Sequence, residues 1–133
     1  MNCYNGEKYL REAIDSIYAQ TYDNWEIIFW DNQSKDNSAE IAKSCDNRLK
    51  YYYADKHTSL GMARKNAVNF CNGEFIAFLD ADDYWDKNKL KNQLKAFHVD
   101  PSIGLVYGDY WDFKKSDAID AVLVVVRSFN KNY

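Results

Sequence analysis

Three aspartates, Asp80, Asp82 and Asp83, lie within four consecutive positions and directly follow an apolar run. Carboxylates this close repel one another, so placing them at the end of a buried strand costs stability unless something positive lies between them. A divalent cation would supply that charge, and the spacing therefore predicts a metal-dependent site. The alternative is that Asp80 caps the next element and that the other two aspartates form a solvated acidic turn.

The residues ahead of the acids predict the strands that would position them. Phe75 to Leu79 are five consecutive apolar residues, a pattern typical of a strand buried on both faces of a parallel sheet. Trp25 to Trp30 form a second, mostly apolar run, and it also ends at an acid, Asp31. Because ligands of open α/β sheets bind outside the carboxyl ends of the strands, we expect Asp31 and Asp80 at the ligand-binding edge.

Helical and extended patterns alternate along the chain. Amphipathic spacing predicts four helices, and short apolar or aromatic runs predict two further strands. The helices are expected over Glu7–Gln20, Ser38–Cys45, Gly61–Phe70 and Asn88–Val99, and the strands over Leu49–Tyr53 and Ile103–Tyr107. This alternation predicts an α/β fold in which helices cover both faces of a mostly parallel sheet.

Local patterns refine this picture. Asn37, followed three residues later by Glu40, is typical of a capping box at the start of the second helix. His57, in a polar loop, is expected to be a surface residue rather than a base. Trp85 is expected to pack, and so are inner-face residues of the last two helices: Met62, Ala63, Asn66, Ala67, Phe70, Leu90, Leu94, Phe97 and Val99.

Size, composition and charge favour one folded domain. The chain has 133 residues, of which 47% are hydrophobic and 17% aromatic, so it can build a core. Its net charge of −3 provides no basic surface for a phosphate backbone, which argues against nucleic acid as a partner.

The cysteines and the longest apolar run bear on the compartment. Cys3, Cys45 and Cys71 are odd in number and widely spaced, so they suggest neither a disulfide framework nor a zinc site, and they fit a reducing cytosol. The run Ala121 to Val126 is too short to span a bilayer. We expect a cytoplasmic protein, and the sequence leaves open association with the inner face of the membrane and homo-oligomerisation.

Several motifs occur in a specific order: Cys3-Tyr4-Asn5-Gly6, Ala19-Gln20-Thr21-Tyr22, Asp31-Asn32-x-Ser34-x-Asp36, Gly61-x-Ala63-Arg64-x-Asn66, and the segment from Gly73 to Asp83. Together, from residue 3 to about residue 110, they resemble the N-terminal half of family 2 glycosyltransferases of the GT-A fold. The resemblance implies a Rossmann-like, three-layer GT-A sandwich that binds a nucleoside-diphosphate sugar, the donor of the reaction.

The resemblance also implies donor-binding roles for individual residues. Tyr4, beside Asn5, would lie against a uracil-type base by stacking. Asp31 would accept the imide N–H of that base, since a carboxylate accepts but does not donate. Arg64 and the backbone around Gly61 would lie near the base and the diphosphate. The alternatives are a packed loop tyrosine for Tyr4 and a solvated helix arginine for Arg64.

Asp80-Ala81-Asp82 would be the family's Asp-x-Asp element. Asp80 would approach the ribose and the waters of the metal, and Asp82 would bind the cation, Mn²⁺ or Mg²⁺, that bridges the two phosphates. The cation would stabilise the charge that develops on the departing nucleoside diphosphate. Asp83 would support this arrangement or cap the next helix.

The function implied is that of a metal-dependent hexosyltransferase of polysaccharide biosynthesis. It would bind a nucleoside-diphosphate sugar, with UDP as the expected nucleotide, and transfer the sugar to a glycan or lipid-linked acceptor. Two alternatives stay open: a non-catalytic nucleotide-binding remnant or an enzyme that needs a partner chain, and, less favoured, a phosphatase with an aspartate nucleophile. Tyr84 stands where that class of phosphatase is expected to have threonine or valine.

The chain departs from the family pattern at both ends. At the start, the apolar first strand is largely missing, because Met1 and Asn2 lead directly into the turn. Beyond Phe113 no family pattern is visible, so we expect a nucleotide-sugar-binding domain over residues 1–113 and a divergent or truncated tail over 114–133. The catalytic base is unknown; Asp109, Asp112 and Asp117 are the late acids that a general base could come from.

Overall fold

A computed structural model of the protein describes residues 1–108 and the backbone of residues 110–111, 118–119 and 125–127. The helices are α1 (Glu7–Tyr18), α2 (Ser38–Lys43), α3 (Leu60–Val68) and α4 (Lys89–Val99). The strands are β1 (Asn2–Cys3), β2 (Ile27–Asp31), β3 (Leu49–Tyr53), β4 (Phe75–Ala77), β5 (Leu105–Val106), β6 (Tyr110–Trp111), β7 (Ala118–Ile119) and β8 (Val125–Arg127). The predicted alternation of helices and strands is confirmed up to β5, with ends that differ by a few residues.

The parallel part of the sheet has the order β1-β2-β3. Asn2 pairs with Trp30 and Cys3 with Asp31, while all five residues of β2 pair with β3. Strand β2 is buried along its whole length, as its apolar run predicts. Strand β1 is present but contains only two residues, in line with the predicted shortness of the first strand.

Alternate residues of β2 point into two hydrophobic cores on opposite faces of the sheet. Ile27 and Phe29 pack with buried residues of α1 and α2, whereas Ile28 and Trp30 pack with residues of α3. The α1 residues in the first core are Leu10, Ala13, Ile14 and Ile17, which follow the predicted amphipathic spacing. Helices on both faces of the sheet are therefore confirmed, as the α/β layering predicts.

The predicted capping box at α2 is wrong. Asn37 is the N-cap residue of α2, but its side chain makes no capping bond. Instead, its backbone and side-chain N–H groups donate to Glu7 Oε2, each at 2.9 Å. The carboxylate of Glu7, in the first turn of α1, thus binds the backbone N–H that Glu40 would bind in a capping box. A local sequence pattern does not reveal this contact between distant residues.

Strand β4 is shorter and less buried than predicted. It covers Phe75–Ala77, and its residues are only half-buried, whereas Leu79 is buried. Among the described strands it pairs with β8, in the antiparallel sheet β4-β8-β5. Its end reaches the parallel sheet through a single parallel bridge, Asn2 to Asp80. A cleft of about 380 Å³, lined by the start of β2 and by residues 73–79, runs along its other edge and leaves these side chains partly uncovered.

Helices α3 and α4 pack mostly as predicted. Ala63, Ala67, Leu90, Leu94, Phe97 and Trp85 are buried. Two inner-face predictions are wrong, because Met62 and Val99 are 47% and 84% exposed. The small side chains of Ala63 and Ala67 face the sheet, and Phe70 lies beside the rings of Trp30 and Tyr52 at the rim. Throughout the described part, the helices are too short or too polar to cross a membrane.

Candidate functional site

The carboxyl ends of β1 and β2 and the chain after β4 meet at one edge of the fold. Tyr4 follows β1, Asp31 ends β2, and Asp80 is bridged to Asn2. This is the edge at which open α/β sheets bind their ligands. The structure therefore brings together residues that are 27 and 49 positions apart along the chain.

Asp31 is completely buried and is held by two donors. The hydroxyl of Tyr51 donates to Oδ2 at 2.6 Å, and the backbone N–H of Ser34 donates to Oδ1 at 2.7 Å. Burial, followed by the hydrogen bond to this carboxylate, raises the pKa of Tyr51 well above its usual range. Asp31 thereby fixes the start of the loop after β2, while its predicted contact with a base remains a prediction.

The loop after β1 is locked to the loop after β2 by reciprocal hydrogen bonds. Asn5, which adopts a positive φ of 53°, donates its backbone N–H to Ser34 Oγ at 3.0 Å. Its side-chain Oδ1 accepts from the N–H of Lys35 at 2.8 Å. The N–H of Gly6 donates to Ser38 Oγ at 3.0 Å. Asn5 therefore positions Tyr4 by holding the turn in which it lies.

A pocket of about 270 Å³ opens beside Tyr4. The Tyr4 ring, which is 51% exposed, lies 4.3 Å from the His57 ring between centroids, with a tilt of 52°. Two aromatic faces at the mouth of a pocket suit a planar ligand, which binds by stacking. The remaining lining residues are Asn2, Cys3, Asn32, Thr58, Ser59, Leu60 and Ala63.

Asn32 holds the far wall of this pocket in place. Its side-chain amide donates to the carbonyl of Thr58 at 2.8 Å, and its Oδ1 accepts from the N–H of Thr58 at 3.1 Å. Its backbone carbonyl lies 2.9 Å from Nδ1 of His57. The sequence prediction missed the roles of Asn32 and Thr58 and assigned His57 to the surface; His57 is exposed, but it lines the pocket. The sequence signal for this wall was Asn32, which directly follows Asp31 in the motif. The structure shows that Asn32 is buried.

Arg64 and Asp80 form a two-pronged ion pair at the same edge. Nη2 of Arg64 lies 2.7 Å from Oδ1 and 2.9 Å from Oδ2 of Asp80. The two side chains are 38% and 41% exposed, so water and ligands can reach both. Two predicted donor-binding residues are thus paired with each other, and Arg64 supplies a positive partner for Asp80.

Asp82 and Asp83 lie on the exposed turn after Asp80. The N–H of Asp83 donates to the carbonyl of Asp80 at 3.2 Å, which closes the turn. Burial, and then the charges of Asp82 and Asp80, raise the pKa of Asp83. The neighbouring carboxylates thus add to the effect of burial, and a bound cation would oppose their contribution.

The donor set fits a divalent ion that takes few ligands from the protein. Within the part of the chain that the structure describes, no three His, Cys, Asp or Glu side chains converge into a complete metal cage. Hard cations such as Mn²⁺ and Mg²⁺ are often held by one or two carboxylates together with substrate phosphates. Asp82, whose side chain is exposed, and Asp80 are the residues that would supply those oxygens.

Gly61 and Ala81 occupy different surroundings. A Cβ added at Gly61 would meet nothing within 4 Å, and the pocket includes its neighbours Leu60 and Ala63 but not Gly61 itself. Ala81 is half-buried and packs against the first core. The late acids Asp109, Asp112 and Asp117 lie outside the described residues.

The comparison with known families decides the classification. The model of the family described as glycosyl transferase family 2 matches residues 1–128. The chain belongs to glycosyltransferase family 2. The match extends beyond residue 113, and the predicted division into a domain of residues 1–113 and a tail stays a prediction.

Curated relatives in family 2 include two bacterial glycosyltransferases. The chain is 36% identical over 111 residues to the Escherichia coli UDP-Glc:alpha-D-GlcNAc-diphosphoundecaprenol beta-1,3-glucosyltransferase WfgD, covering 83% of this chain and 44% of WfgD. It is 31% identical over 110 residues to the putative teichuronic acid biosynthesis glycosyltransferase TuaG of Bacillus subtilis, covering 80% of this chain and 43% of TuaG. The chain thus spans less than half the length of these two relatives.

Solved structures confirm that the fold is GT-A. S. aureus TarS (residues 1–349), crystallised with UDP, superposes with a TM-score of 0.86 at 21% identity, covering 95% of this chain and 45% of TarS. The mannosyltransferase PcManGT from Pyrobaculum calidifontis, in complex with GDP-Man and Mn²⁺, gives a TM-score of 0.73 at 24% identity, covering 80% of this chain and 33% of PcManGT. At these identities the likeness concerns the fold alone.

Proposed function

We propose that this chain is the donor-binding part of a metal-dependent hexosyltransferase that takes a UDP-sugar. The proposal rests on one observation above all: the aromatic pocket at Tyr4 and His57 opens at the same strand edge as Arg64, Asp80 and Asp82. A stacking surface beside a cluster of phosphate- and metal-binding side chains is the arrangement that a nucleoside diphosphate requires.

The base is proposed to enter the pocket and to stack on the exposed ring of Tyr4, beside the contact of this ring with His57. Tyr4 supplies a flat apolar face, and Asn32 keeps the opposite loop at a fixed distance. Asp31 is completely buried and does not line this pocket; it holds the loop after β2 through Ser34 and Tyr51. UDP is the proposed nucleotide because the curated WfgD is named for UDP-Glc and TarS was crystallised with UDP.

The diphosphate is proposed to take over Arg64 from Asp80. Arginine binds phosphate oxygens and carboxylates with the same fork of N–H donors, so one partner can replace the other. Release of Arg64 would free the carboxylate of Asp80 for the ribose and for the metal's waters. Ligand binding would thereby convert a resting ion pair into two separate contacts.

The cation is proposed to be Mn²⁺ or Mg²⁺, held by Asp82 with Asp80 nearby. When bound, it acts as a Lewis acid that stabilises the negative charge developing on the departing nucleoside diphosphate. Asp83 supports the turn by its backbone bond to Asp80. The proposed acceptor is a glycan or a lipid-linked glycan.

Isothermal titration with UDP, in the presence and absence of MnCl₂, tests the donor site. We expect UDP to bind and Mn²⁺ to strengthen binding by at least about tenfold, a range typical of contacts that tune a metal site. Asp82→Ala should remove the Mn²⁺ effect. Asp15→Ala, at an exposed aspartate of α1, is the matched control and should keep it.

Two results would contradict the proposal. One is the absence of UDP binding by a folded chain, checked by circular dichroism. The other is a Mn²⁺ effect that survives Asp82→Ala unchanged. Release of UDP from UDP-glucose or UDP-N-acetylglucosamine, measured with and without added glycan acceptor, then separates an active transferase from a chain that only binds the nucleotide.

A further inference from the structure

The motif Ala19-Gln20-Thr21-Tyr22 directly follows α1, which ends at Tyr18, and lies outside the pocket beside Tyr4. Gln20 is a polar residue but is only 8% exposed. Because a buried amide without partners costs folding free energy, such a side chain is kept where its hydrogen bonds are needed. The partners of Gln20 therefore indicate what this motif holds in place.

The side-chain amide of Gln20 links α1 to the start of α4. Its Nε2 donates to the carbonyl of Ser16, in the last turns of α1, at 3.1 Å and to the carbonyl of Asp86 at 2.7 Å. Its Oε1 accepts the N–H of Leu90, in the first turn of α4, at 3.0 Å. Since the side chain of Asn88, the N-cap residue of α4, makes no capping bond, Gln20 supplies an acceptor for this helix end from outside the helix.

Thr21 and Ser16 add three hydrogen bonds to the same segment. The N–H of Thr21 donates to the carbonyl of Lys87 at 2.8 Å, and its Oγ1 donates to Oδ1 of Asn88 at 3.0 Å. The N–H of Trp85 donates to Oγ of Ser16 at 3.1 Å. These bonds join the end of α1 to the chain that leads into α4. The residues that make them are called the α1 anchor: Ser16, Gln20 and Thr21.

The segment that the α1 anchor holds directly follows the acid turn, residues 80–83. Ala81 packs against the first core, and Trp85 is buried in that core. The three residues between them are exposed: Asp82, Asp83 and Tyr84. The carboxylate of Asp82 therefore lies on a short exposed loop between two fixed ends, and the α1 anchor bonds to the second end.

We propose that Gln20 and Thr21 are positioning residues for the metal, because they hold the loop of Asp82 where its carboxylate binds a cation beside the diphosphate. This inference rests on the proposed function, of which the cation and the diphosphate are part. Mg²⁺ demands near-ideal octahedral geometry, and residues that support a ligand contribute to metal affinity without touching the ion. Gln20 and Thr21 act in this way, through the backbone of residues 85–90.

A role in folding alone predicts a different pattern of binding. Loss of stability alone leaves the UDP affinity of the folded chain unchanged, both with and without Mn²⁺. Loss of positioning weakens UDP binding only when Mn²⁺ is present, because the displaced carboxylate belongs to the proposed metal site and not to the pocket for the base. Comparison of the two affinities therefore separates the two roles.

Gln20→Met tests the inference, since it keeps the length of the side chain but removes its donors and its acceptor. Isothermal titration with UDP, with and without MnCl₂, measures the factor by which Mn²⁺ strengthens binding. We expect this factor to fall by at least about tenfold, as is typical when a residue that supports a metal ligand is lost. The UDP affinity without Mn²⁺ should stay within about twofold of the wild type.

Thr21 provides a second test at an exposed position, where a substitution leaves the fold intact. Thr21→Val removes the hydroxyl but keeps the backbone bond to Lys87, and it should lower the Mn²⁺ factor by about twofold to fivefold, in line with the loss of one hydrogen bond. Thr21→Ser, which keeps the hydroxyl, should retain the factor. The matched control is Tyr18→Phe, also at the end of α1, whose hydroxyl bonds to Asp46 instead; it should leave the factor unchanged.

Hydrogen exchange followed by mass spectrometry adds a readout without nucleotide or metal. In Gln20→Met, the amides of residues 81–86 should exchange at least about tenfold faster than in the wild type, because one end of the loop is released. The amides of β3 should keep their exchange rates.

The results distinguish a failure of the inference from a failure of the proposed function. If Mn²⁺ does not change the UDP affinity of the wild type, the proposed function is wrong and this inference fails with it. If Mn²⁺ strengthens binding equally in the wild type, Gln20→Met and Thr21→Val, the inference alone is wrong. Unchanged exchange of residues 81–86 in Gln20→Met would also overturn it.

Discussion

Asp31 and Asp80 each follow an apolar segment, but they differ in burial and in hydrogen-bond partners. Asp31 is completely buried and holds two donors from its own half of the sheet. Asp80 is 41% exposed at its side chain and is paired with one exposed arginine. The β2 end is therefore a fixed support, and the β4 end is a surface that a ligand can rearrange.

The difference follows from the neighbours of each strand. Strand β2 has β1 and β3 on its two sides and a core on each face, so its end is enclosed. Strand β4 has a cleft on one side, and its continuation touches the parallel sheet only at Asn2. An acid at an enclosed end must be satisfied within the protein, whereas an acid at an open end can exchange partners with a ligand.

The largest effect on stability is expected from removing the buried carboxylate of Asp31. Asp31→Ala leaves the hydroxyl of Tyr51 and the N–H of Ser34 without an acceptor in the interior. Since an unsatisfied buried polar group costs about 1–3 kcal/mol, we expect a loss of about 2–4 kcal/mol in the free energy of unfolding, measured in urea. Tyr51→Phe, which removes one donor with its bond, should cost less. Equal losses for the two variants would show that Asp31 does not act as a shared acceptor.

A pH-dependent effect on stability is expected from Lys89, a half-buried lysine at the start of α4. Burial lowers the pKa of Lys89 to about 7, and its Nζ lies over the ring of Trp85 without a hydrogen-bond partner among the described residues. The unfolded chain then binds more protons than the folded chain between pH 7 and about 10.4, so stability should rise with pH across that window. The expected slope is up to about 1.4 kcal/mol per pH unit.

Lys89→Met should flatten this pH dependence, because it removes the titrating group but keeps a flexible apolar side chain. Lys91→Met, at an exposed lysine of the same helix, is the control and should leave the slope unchanged. Urea unfolding at pH 7, 8, 9 and 10 provides the measurement. A slope that Lys89→Met does not reduce would show that Lys89 titrates normally.

A smaller effect is expected at the aromatic pocket, beside the enclosed strand end. Tyr4→Leu keeps an apolar side chain but removes the ring that faces His57. We expect UDP affinity to fall by about fivefold to tenfold, in line with about 0.5–1.5 kcal/mol for an aromatic contact. Tyr4→Phe should keep most of the affinity, and Tyr9→Leu, at another exposed tyrosine, should keep all of it. Equal affinities for Tyr4→Leu and the wild type would exclude stacking on this ring.

The smallest effect is expected from the ion pair at the open end. A double-mutant cycle with Arg64→Met and Asp80→Asn should give a coupling energy of about 0.2–1 kcal/mol, because both side chains are exposed. The coupling should fall further in 1 M NaCl. Its disappearance when UDP is added would support the exchange of Arg64 from Asp80 to phosphate. A coupling unchanged by saturating UDP would contradict it.

The parts of the fold that sequence predicts well are those with strong local patterns. The bounds of β3 match the prediction, and the inner face of α1 follows its amphipathic spacing. The acids at the strand ends are found because an apolar run that stops at a carboxylate is visible in the sequence. Residues from Tyr4 to Asp80 converge because parallel strands end at one edge.

The parts that sequence misses depend on contacts between distant residues. The acceptor for the N–H groups of Asn37, at the start of α2, is Glu7, which lies 30 positions away. The pocket wall at His57 is held by Asn32, 25 positions earlier. The pairing of Arg64 with Asp80 likewise joins two elements whose relative position only the fold defines. No local propensity encodes such partners, so each appeared in the sequence as an isolated polar residue.

Gly6 lies between the turn that follows β1 and the turn that follows β4. A Cβ at this position would lie 2.8 Å from Sγ of Cys3 and 3.2 Å from Cβ of Ala81. The turn that carries Tyr4 and the turn that carries Asp80 and Asp82 therefore approach each other closely at Gly6 and the side chain of Ala81, with no room for a side chain at position 6. Displacement of one turn must push the other, so the sites proposed for the base and for the phosphates are mechanically coupled.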